Sequence, residues 1–279
     1  MLHGRVGEYL ERTEADNLEH AIPLLEHHYW RSDREEKKRE YLWKAAEAAQ
    51  AAYANKAAVA YYERLVPLLT DEECLRARLA LGKAYELTGD WTRAAELDEA
   101  ALALARDIGD RRGEAEALAA LAEVARKQGR YEEASERIDG ARALFTELDD
   151  EAGIGVVLHL SGTIAAQRGN YDEARARYLE SFAIRKRHDD RDQLGRLLSN
   201  LAIVAEYSSD FTESRRLNEE ALAVRTSIGD RWAIALSLNN LAVIDLYERR
   251  YAEAAERYEE SVALAREVGD PWLLSLAYC

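Results

Sequence analysis

The chain has 279 residues, 48% hydrophobic and 33% charged, with 53 acidic side chains against 38 basic ones and a formal net charge of −15. That balance suits an alanine-rich helical protein and argues against a nucleic-acid surface, which needs clustered Lys and Arg to displace counterions. Two cysteines, Cys74 and Cys279, exclude a disulfide framework and point to a reducing compartment. No run reaches the roughly 18 apolar residues of a membrane span, and Met1 to Leu10 lacks the apolar core of a signal peptide; a cytoplasmic location with no membrane partner is expected.

Residues 1–34 read as an N-terminal helical segment: a short amphipathic piece from His3 to Arg12, then a helix from about Leu18 to Trp30 carrying Ile22, Leu25 and Tyr29. Helices from Lys37 to Tyr53 and from Lys56 to Leu69 form a divergent first pair, about 35–70. Regular pairs are predicted at 72–109, 110–149, 150–189, 190–229 and 230–269, with a truncated last helix over 270–279. The period can be counted: Asp stands at 110, 150, 190, 230 and 270, and the aromatic at the turn recurs as Trp91, Tyr131, Tyr171, Phe211 and Tyr251. Small residues recur as Ala94, Ala134, Ala174, Ser214 and Ala254, and in the first helix as Gly82, Ala122, Gly162, Ala202 and Ala242. Self-similarity at this spacing marks an all-α solenoid over 35–279, in which each hairpin buries its apolar face only against its neighbours.

Each recurring position has a physical reason. An Asp before a helix accepts from an unpaired N–H of the first turn, and Gly109, Gly229 and Gly269 before it suit a left-handed helix end. Paired small residues let two antiparallel helices approach closely. The chain stops at Cys279 just after Asp270-Pro271-Trp272 opens another helix, which leaves an apolar face uncapped; a fragment of a longer protein is expected.

Leu81-Gly82-x-x-Tyr85 to Gly89-Asp90-Trp91-x-x-Ala94 resembles the tetratricopeptide repeat, and the 40-residue spacing with Gly109-Asp110-Arg111 and Gly229-Asp230-Arg231 is similar to its extended form in spindle-orientation adaptors of the LGN type and bacterial regulators. The resemblance implies a right-handed α-α superhelix of about six hairpin repeats, whose first helices line a concave groove. Leu2-His3-Gly4-Arg5-Val6, Leu24 to Tyr29 and Tyr53 to Glu63 resemble the segment before the repeats in bacterial STAND ATPase regulators and in cyclases with long repeat arrays. It implies an absent upstream domain joined at residues 1–34, although no ATPase or cyclase motif stands in this chain. The groove positions that the family implies are Arg76, Leu79 and Lys83; Glu123, Arg126 and Lys127; His159, Thr163 and Gln167; Arg196, Ser199, Ile203 and Tyr207; and Asn239, Val243, Leu246 and Tyr247. Their basic and amide groups suit an acidic or extended peptide.

Candidate chemistry is sparse. Gly82-Lys83 lacks the remainder of a phosphate loop. His20 and His27 lie two helical turns apart, about 10 Å, so neither a metal nor a cofactor is expected and no catalytic residue is assigned. The basic run Arg185-Lys186-Arg187 reads as the cationic end of a helix facing the next acidic cap. Repeat four departs most from the pattern: Ser161 stands where Leu81, Leu121, Leu201 and Leu241 stand, Gly153 and Gly155 weaken its first helix, and His188 replaces an aliphatic residue. Asp245 likewise replaces Ala125, Ala165 and Ala205. The expected function is a non-catalytic interaction and regulatory module that holds a peptide or neighbouring domain in its groove. The alternatives are a free-standing adaptor, a homodimer, or an effector sensor built on the repeat-four notch.

Overall fold

A computed structural model describes residues 2–277, apart from the side chains of Asp16, Pro271 and Ala277. Cys279, on which the redox reading partly rests, lies outside the described residues. Among these the chain forms fifteen α-helices, two 3-10 turns and no strand. It divides into two compact units, Met1–Leu148 and Asp149–Cys279, at a junction between repeats.

The first unit holds α1 (Leu2–Thr13), α2 (Leu18–Trp30), α3 (Glu35–Ala51), α4 (Asn55–Leu65), α5 (Asp71–Thr88), α6 (Trp91–Ile108), α7 (Arg111–Lys127) and α8 (Tyr131–Glu147). Two boundaries differ from expectation. Helix α3 ends at Ala51, and Tyr53 turns the chain at φ +56°. Helix α4 ends at Leu65, because Pro67 has no N–H to continue an α-helical ladder and the chain tightens into a 3-10 turn over Val66–Leu68. The two N-terminal helices pack on the array: Tyr29 stacks on Tyr41 of α3 at 5.1 Å, and both hydroxyls donate to the Glu11 carboxylate, at 2.7 and 2.6 Å.

The second unit holds α9 (Glu151–Gln167), α10 (Tyr171–Arg187), α11 (Arg191–Tyr207), α12 (Phe211–Ile228), α13 (Arg231–Tyr247), α14 (Tyr251–Val268) and α15 (Pro271–Ala277). Consecutive pairs α9/α10, α11/α12 and α13/α14 are hairpins, each packed on the next in chain order.

The repeated residues do what their spacing requires. Asp110, Asp150, Asp190 and Asp230 accept from the N–H three residues on, at 2.9 to 3.4 Å. Between hairpins the left-handed position is Gly109, Gly229 or Gly269 where glycine is available, and Asp149 or Asp189 at φ near +50° where it is not. The arginine that follows the capping Asp clasps the far end of the same hairpin: Arg111 pairs with Glu147 at 2.6 Å, and Arg231 with Glu267. Repeat four carries the same clasp with its charges exchanged, Glu151 meeting Arg187 at 2.9 Å. The basic run is accounted for in this way, since Arg185 also pairs with Asp190 at 2.8 Å and the His188 imidazole lies 3.2 Å from Glu151.

In two hairpins a glycine of the first helix faces a residue 16 positions on, Gly82 against Asp98 and Gly162 against Tyr178; the equivalent positions of the other regular repeats hold Ala122/Ile138, Ala202/Asn218 and Ala242/Tyr258. A Cβ on Gly162 would lie 2.7 Å from the Tyr178 ring. Gly162→Ala gains about 1 kcal/mol of helix propensity and loses about 1 to 3 kcal/mol to overpacking, so a net loss is expected in urea denaturation of the full chain. Adding Tyr178→Ile, which recreates the Ala122/Ile138 pair, is expected to recover it. An unperturbed Gly162→Ala protein would mean that these two helices do not meet at this register.

Candidate functional site

The first helix of each hairpin presents residues at i, i+4 and i+8 on one face, because 3.6 residues complete a turn. In the first unit these faces belong to α5 and α7, and they are ionic. Arg76 is exposed, with its guanidinium 5.1 Å from the centre of the Trp43 ring, and Leu79 is half-buried. Lys83 donates to Glu86 at 2.8 Å. Lys127 of α7 reaches the same Glu86 at 2.7 Å, joining the two first helices. Arg126 forks onto Glu123 with two bonds, at 2.8 and 2.6 Å. Glu86 is buried, which pulls its carboxyl upward, but Lys83 and Lys127 outweigh that and hold it below the ordinary carboxylate range. Lys83, Arg126 and Lys127 are therefore already engaged by carboxylates of the same unit.

In the second unit the faces belong to α9, α11 and α13, and their character is different. The α9 stripe is His159, Thr163 and Gln167; that of α11 is Ser199, Ile203 and Tyr207; that of α13 is Asn239, Val243 and Tyr247, with Leu246 beside it. His159 Nε2 lies 2.8 Å from Asn200 Nδ2, so the imidazole links α9 to α11. Thr163 donates back to the His159 carbonyl at 3.0 Å and accepts the Tyr178 hydroxyl at 3.1 Å. Arg225 of α12 links α11 to α13: it donates to the Gly195 carbonyl at 3.2 Å, the Ala233 carbonyl at 3.3 Å and Ser237 Oγ at 2.6 Å.

The α11 and α13 stripes go from closed to open along their length. Ser199 and Asn239 are each 7% exposed, and neither Ser199 Oγ nor Asn239 Oδ1 has a hydrogen-bond partner. At the other end Tyr207 and Tyr247 are 66% and 69% exposed, and Ile203 and Leu246 are exposed as well. Each tyrosine rests on the turn aromatic of the preceding hairpin, Tyr207 on Tyr171 at 4.9 Å and Tyr247 on Phe211 at 5.4 Å. Arg196, beside the α11 stripe, lies 3.2 Å from Asp192.

One polar cluster escaped the sequence reading, and a second was marked only by its central carboxylate. His3 of α1 comes within 3.0 Å of His28 of α2, with His27 beside both, three imidazoles that no spacing along one helix could reveal. Among the described residues no group of three His, Cys, Asp or Glu side chains is placed to hold a metal ion. Asp245, which the sequence did mark, is 1% exposed and is met by Arg215 at 2.7 Å, by Arg250 at 3.2 Å and by Arg257. No described helix is long and apolar enough to cross a membrane.

Two departures of repeat four, Gly155 and Gly162, make room for side chains of α10. Gly155 leaves room for Arg185, whose Nε would lie 3.2 Å from a Cβ there, and its carbonyl accepts Ser181 Oγ at 2.7 Å. Gly195 makes the same room for Arg225 one repeat later.

No curated protein matches the sequence. Solved structures do. A Rap protein complexed with competence and sporulation factor matches 99% of this chain and 79% of its own at 14% identity, with a TM-score of 0.73. The STAND protein PH0952 from Pyrococcus horikoshii, described as having a tetratricopeptide repeat sensor, matches over 99% of this chain but 41% of its own, at 15% identity and TM-score 0.71. The apo quorum sensor NprR from B. thuringiensis matches over 94% and 86% at 16% identity, TM-score 0.60. At these identities the likeness is one of fold. The tetratricopeptide-repeat family model matches residues 73–147, 113–187, 153–227 and 193–267, the whole of the regular array through four overlapping windows. The sequence period, the hairpin register and this match agree: the chain belongs to the tetratricopeptide-repeat family.

Proposed function

We propose that this chain is a non-catalytic interaction module that receives a peptide or partner segment across the first-helix faces of α9, α11 and α13. The observation that carries the reading is the pair of exposed tyrosines, Tyr207 and Tyr247, one repeat apart, each stacked on the turn aromatic of the preceding hairpin, with exposed Ile203 and Leu246 on the same helices. A partner segment that covers these rings and aliphatic groups removes apolar surface from water, at about 25 cal/mol per Å². Two of the similar structures support a peptide: the Rap protein is complexed with competence and sporulation factor, and NprR is a quorum sensor. The sensor of PH0952 supports a place within a multidomain signalling protein, with an ATPase or cyclase domain upstream of residues 1–34.

Tyr207→Ser with Tyr247→Ser changes two exposed side chains. In a pull-down from the source cell lysate with the full chain as bait, it is expected to lose the partner that the unaltered chain retains, with the circular-dichroism melt unchanged. A partner held equally by both proteins contradicts the assignment of this face.

A further inference from the structure

Helix α1 meets the rest of the first unit through His3, Gly4, Gly7, Glu8 and Glu11, the spacing of a single helical face. Its two glycines let it lie close: a Cβ on Gly7 would fall 2.6 Å from the Tyr29 ring, and one on Gly4 would fall 3.4 Å from the Arg34 side chain. The same glycines lower the helix propensity of a segment only 12 residues long, and a helix of that length is marginal in water by itself. Helix α1 is therefore ordered by its docking, and whatever loosens the docking melts the helix.

The docking begins with imidazoles. His3 Nδ1 lies 3.0 Å from His28 Nδ1, with the ring centres 5.1 Å apart, and the His27 ring stands 5.3 Å from that of His28 and 6.3 Å from that of His3. Two ring nitrogens in contact share one proton, because one must donate and the other accept. A second proton sets two donors and two positive charges against each other. Arg31, at the end of α2, adds a third cation and lies 3.0 Å from His27 Nδ1. The carboxylates at this end have other partners: Glu8 meets Arg34 in an exposed pair at 2.8 Å, and Glu11 meets Lys37 of α3 at 2.7 Å, with Glu40 on the same lysine and Asp33 in the turn before α3. The charges that act on His28 are those of His3, His27 and Arg31, all positive, and together with burial, the larger cause, they hold its imidazole below the ordinary value of 6.5.

We infer that α1 is a proton-operated latch, closed on α2 while His3 and His28 share a single proton and released from the Tyr29 face when both imidazoles carry one. The open chain binds a proton that the closed one refuses. The closed form is therefore favoured in full above about pH 6.5 and loses about tenfold in its closing equilibrium for each pH unit below that, down to the lowered His28 value. Glu11 does not titrate in this window: burial pulls its carboxyl upward, but Lys37, Tyr41 and Tyr29 outweigh that and hold it below the ordinary carboxylate range. Release uncovers Tyr29 and Tyr41, so mild acid changes the surface that the array offers at its N-terminal end.

The test is hydrogen–deuterium exchange of the full chain at about pH 7.5, 6.5 and 5.5, with each rate divided by the intrinsic rate at that pH. Protection over residues 2–13 is expected to fall about tenfold from pH 6.5 to 5.5, with α7 and α8 unchanged. His28→Asn and His3→Asn, which keep a donor and an acceptor without the titration, are expected to remove the pH dependence, and Gly7→Ala is expected to lose the protection at every pH. Protection of α1 that is equal at pH 6.5 and 5.5, a fall shared by α7 and α8, or a fall that persists in both Asn variants overturns the inference. Where an Asn variant leaves α1 undocked, NMR titration of the imidazole ring protons decides: one of His3 and His28 is expected to titrate below 6.5 in the parent and to return to it in Gly7→Ala. Titration of both at the ordinary value in the parent overturns the latch.

Discussion

Asp245→Ala is expected to destabilise the second unit by about 3 to 5 kcal/mol, the range for removing one partner of a buried ion pair, even though alanine is what the repeat places at 125, 165 and 205. Asp245 lies 1% exposed at the end of α13, where Arg215 arrives from α12 and Arg250 and Arg257 belong to the following turn and α14. Glu248 shares Arg215 at 2.9 Å and also meets Arg250, so these guanidiniums keep one acceptor, but Arg257 loses its own. The family's usual residue is thus the wrong one in this setting. Removing two of the cations together with the carboxylate should restore stability: Asp245→Ala with Arg215→Ala and Arg257→Leu puts at each position a residue that another repeat carries there, as at Ala205, Ala95 and Leu217. Urea denaturation followed by circular dichroism reads both. An Asp245→Ala protein as stable as the parent, or a triple variant no better than the single one, would show that the arginines do not depend on this carboxylate.

The second large effect depends on pH. Asp98 of α6 stands opposite Gly82, 2% exposed, with Oδ1 lacking any hydrogen-bond partner. Burial, reinforced by the neighbouring Glu86 carboxylate and opposed by Lys83, pushes its carboxyl up from 3.8 to about 8. The folded chain therefore binds a proton that the unfolded chain has already released between about pH 4 and pH 8. By linkage its stability contribution is fully present below pH 4 and is lost as pH rises through 8. At about 1.4 kcal/mol per pKa unit the upper bound of the loss is on the order of 5 kcal/mol. Asp98→Asn keeps the shape and removes the ionisation. Its stability is expected to equal the parent's near pH 3, below both values, and to exceed it by several kcal/mol at pH 9. Parallel pH profiles for the two proteins would mean that Asp98 is ionised and accommodated at neutral pH.

The framework of the molecule was legible because it is repeated. A 40-residue period, a capping Asp and a small residue in each helix depend on neighbours within one hairpin, and local chemistry decides them. Contacts between successive first helices were hidden, because they join residues 41 apart whose identities vary: Lys127 with Glu86, and Asn200 with His159. The same blindness made the basic groups of the groove seem available to a ligand. Arg126 and Lys127 stand at groove positions, yet Glu123 and Glu86 already hold them, so a tally of basic residues overstated the charge on offer to a ligand. Repeat four shows the converse. Gly155 and Gly162 break helix propensity when read alone, and become consistent once Arg185 and Tyr178 are seen against them. Asp98 and Asp245 are two buried carboxylates at positions the repeat fills otherwise, but only Asp245 is held in ion pairs with arginines. That distinction comes from three dimensions, since arginines precede and follow both in the sequence.

The central claim is that the first helices of the second unit, not the second ones, receive the ligand. Hydrogen–deuterium exchange of the full chain, with and without the partner that it retains in the pull-down, measures this segment by segment. The account predicts slowed exchange in α9, α11 and α13, strongest around Ser199 to Tyr207 and Asn239 to Tyr247, with α10, α12 and α14 unchanged. Protection confined to α10, α12 and α14 would contradict it.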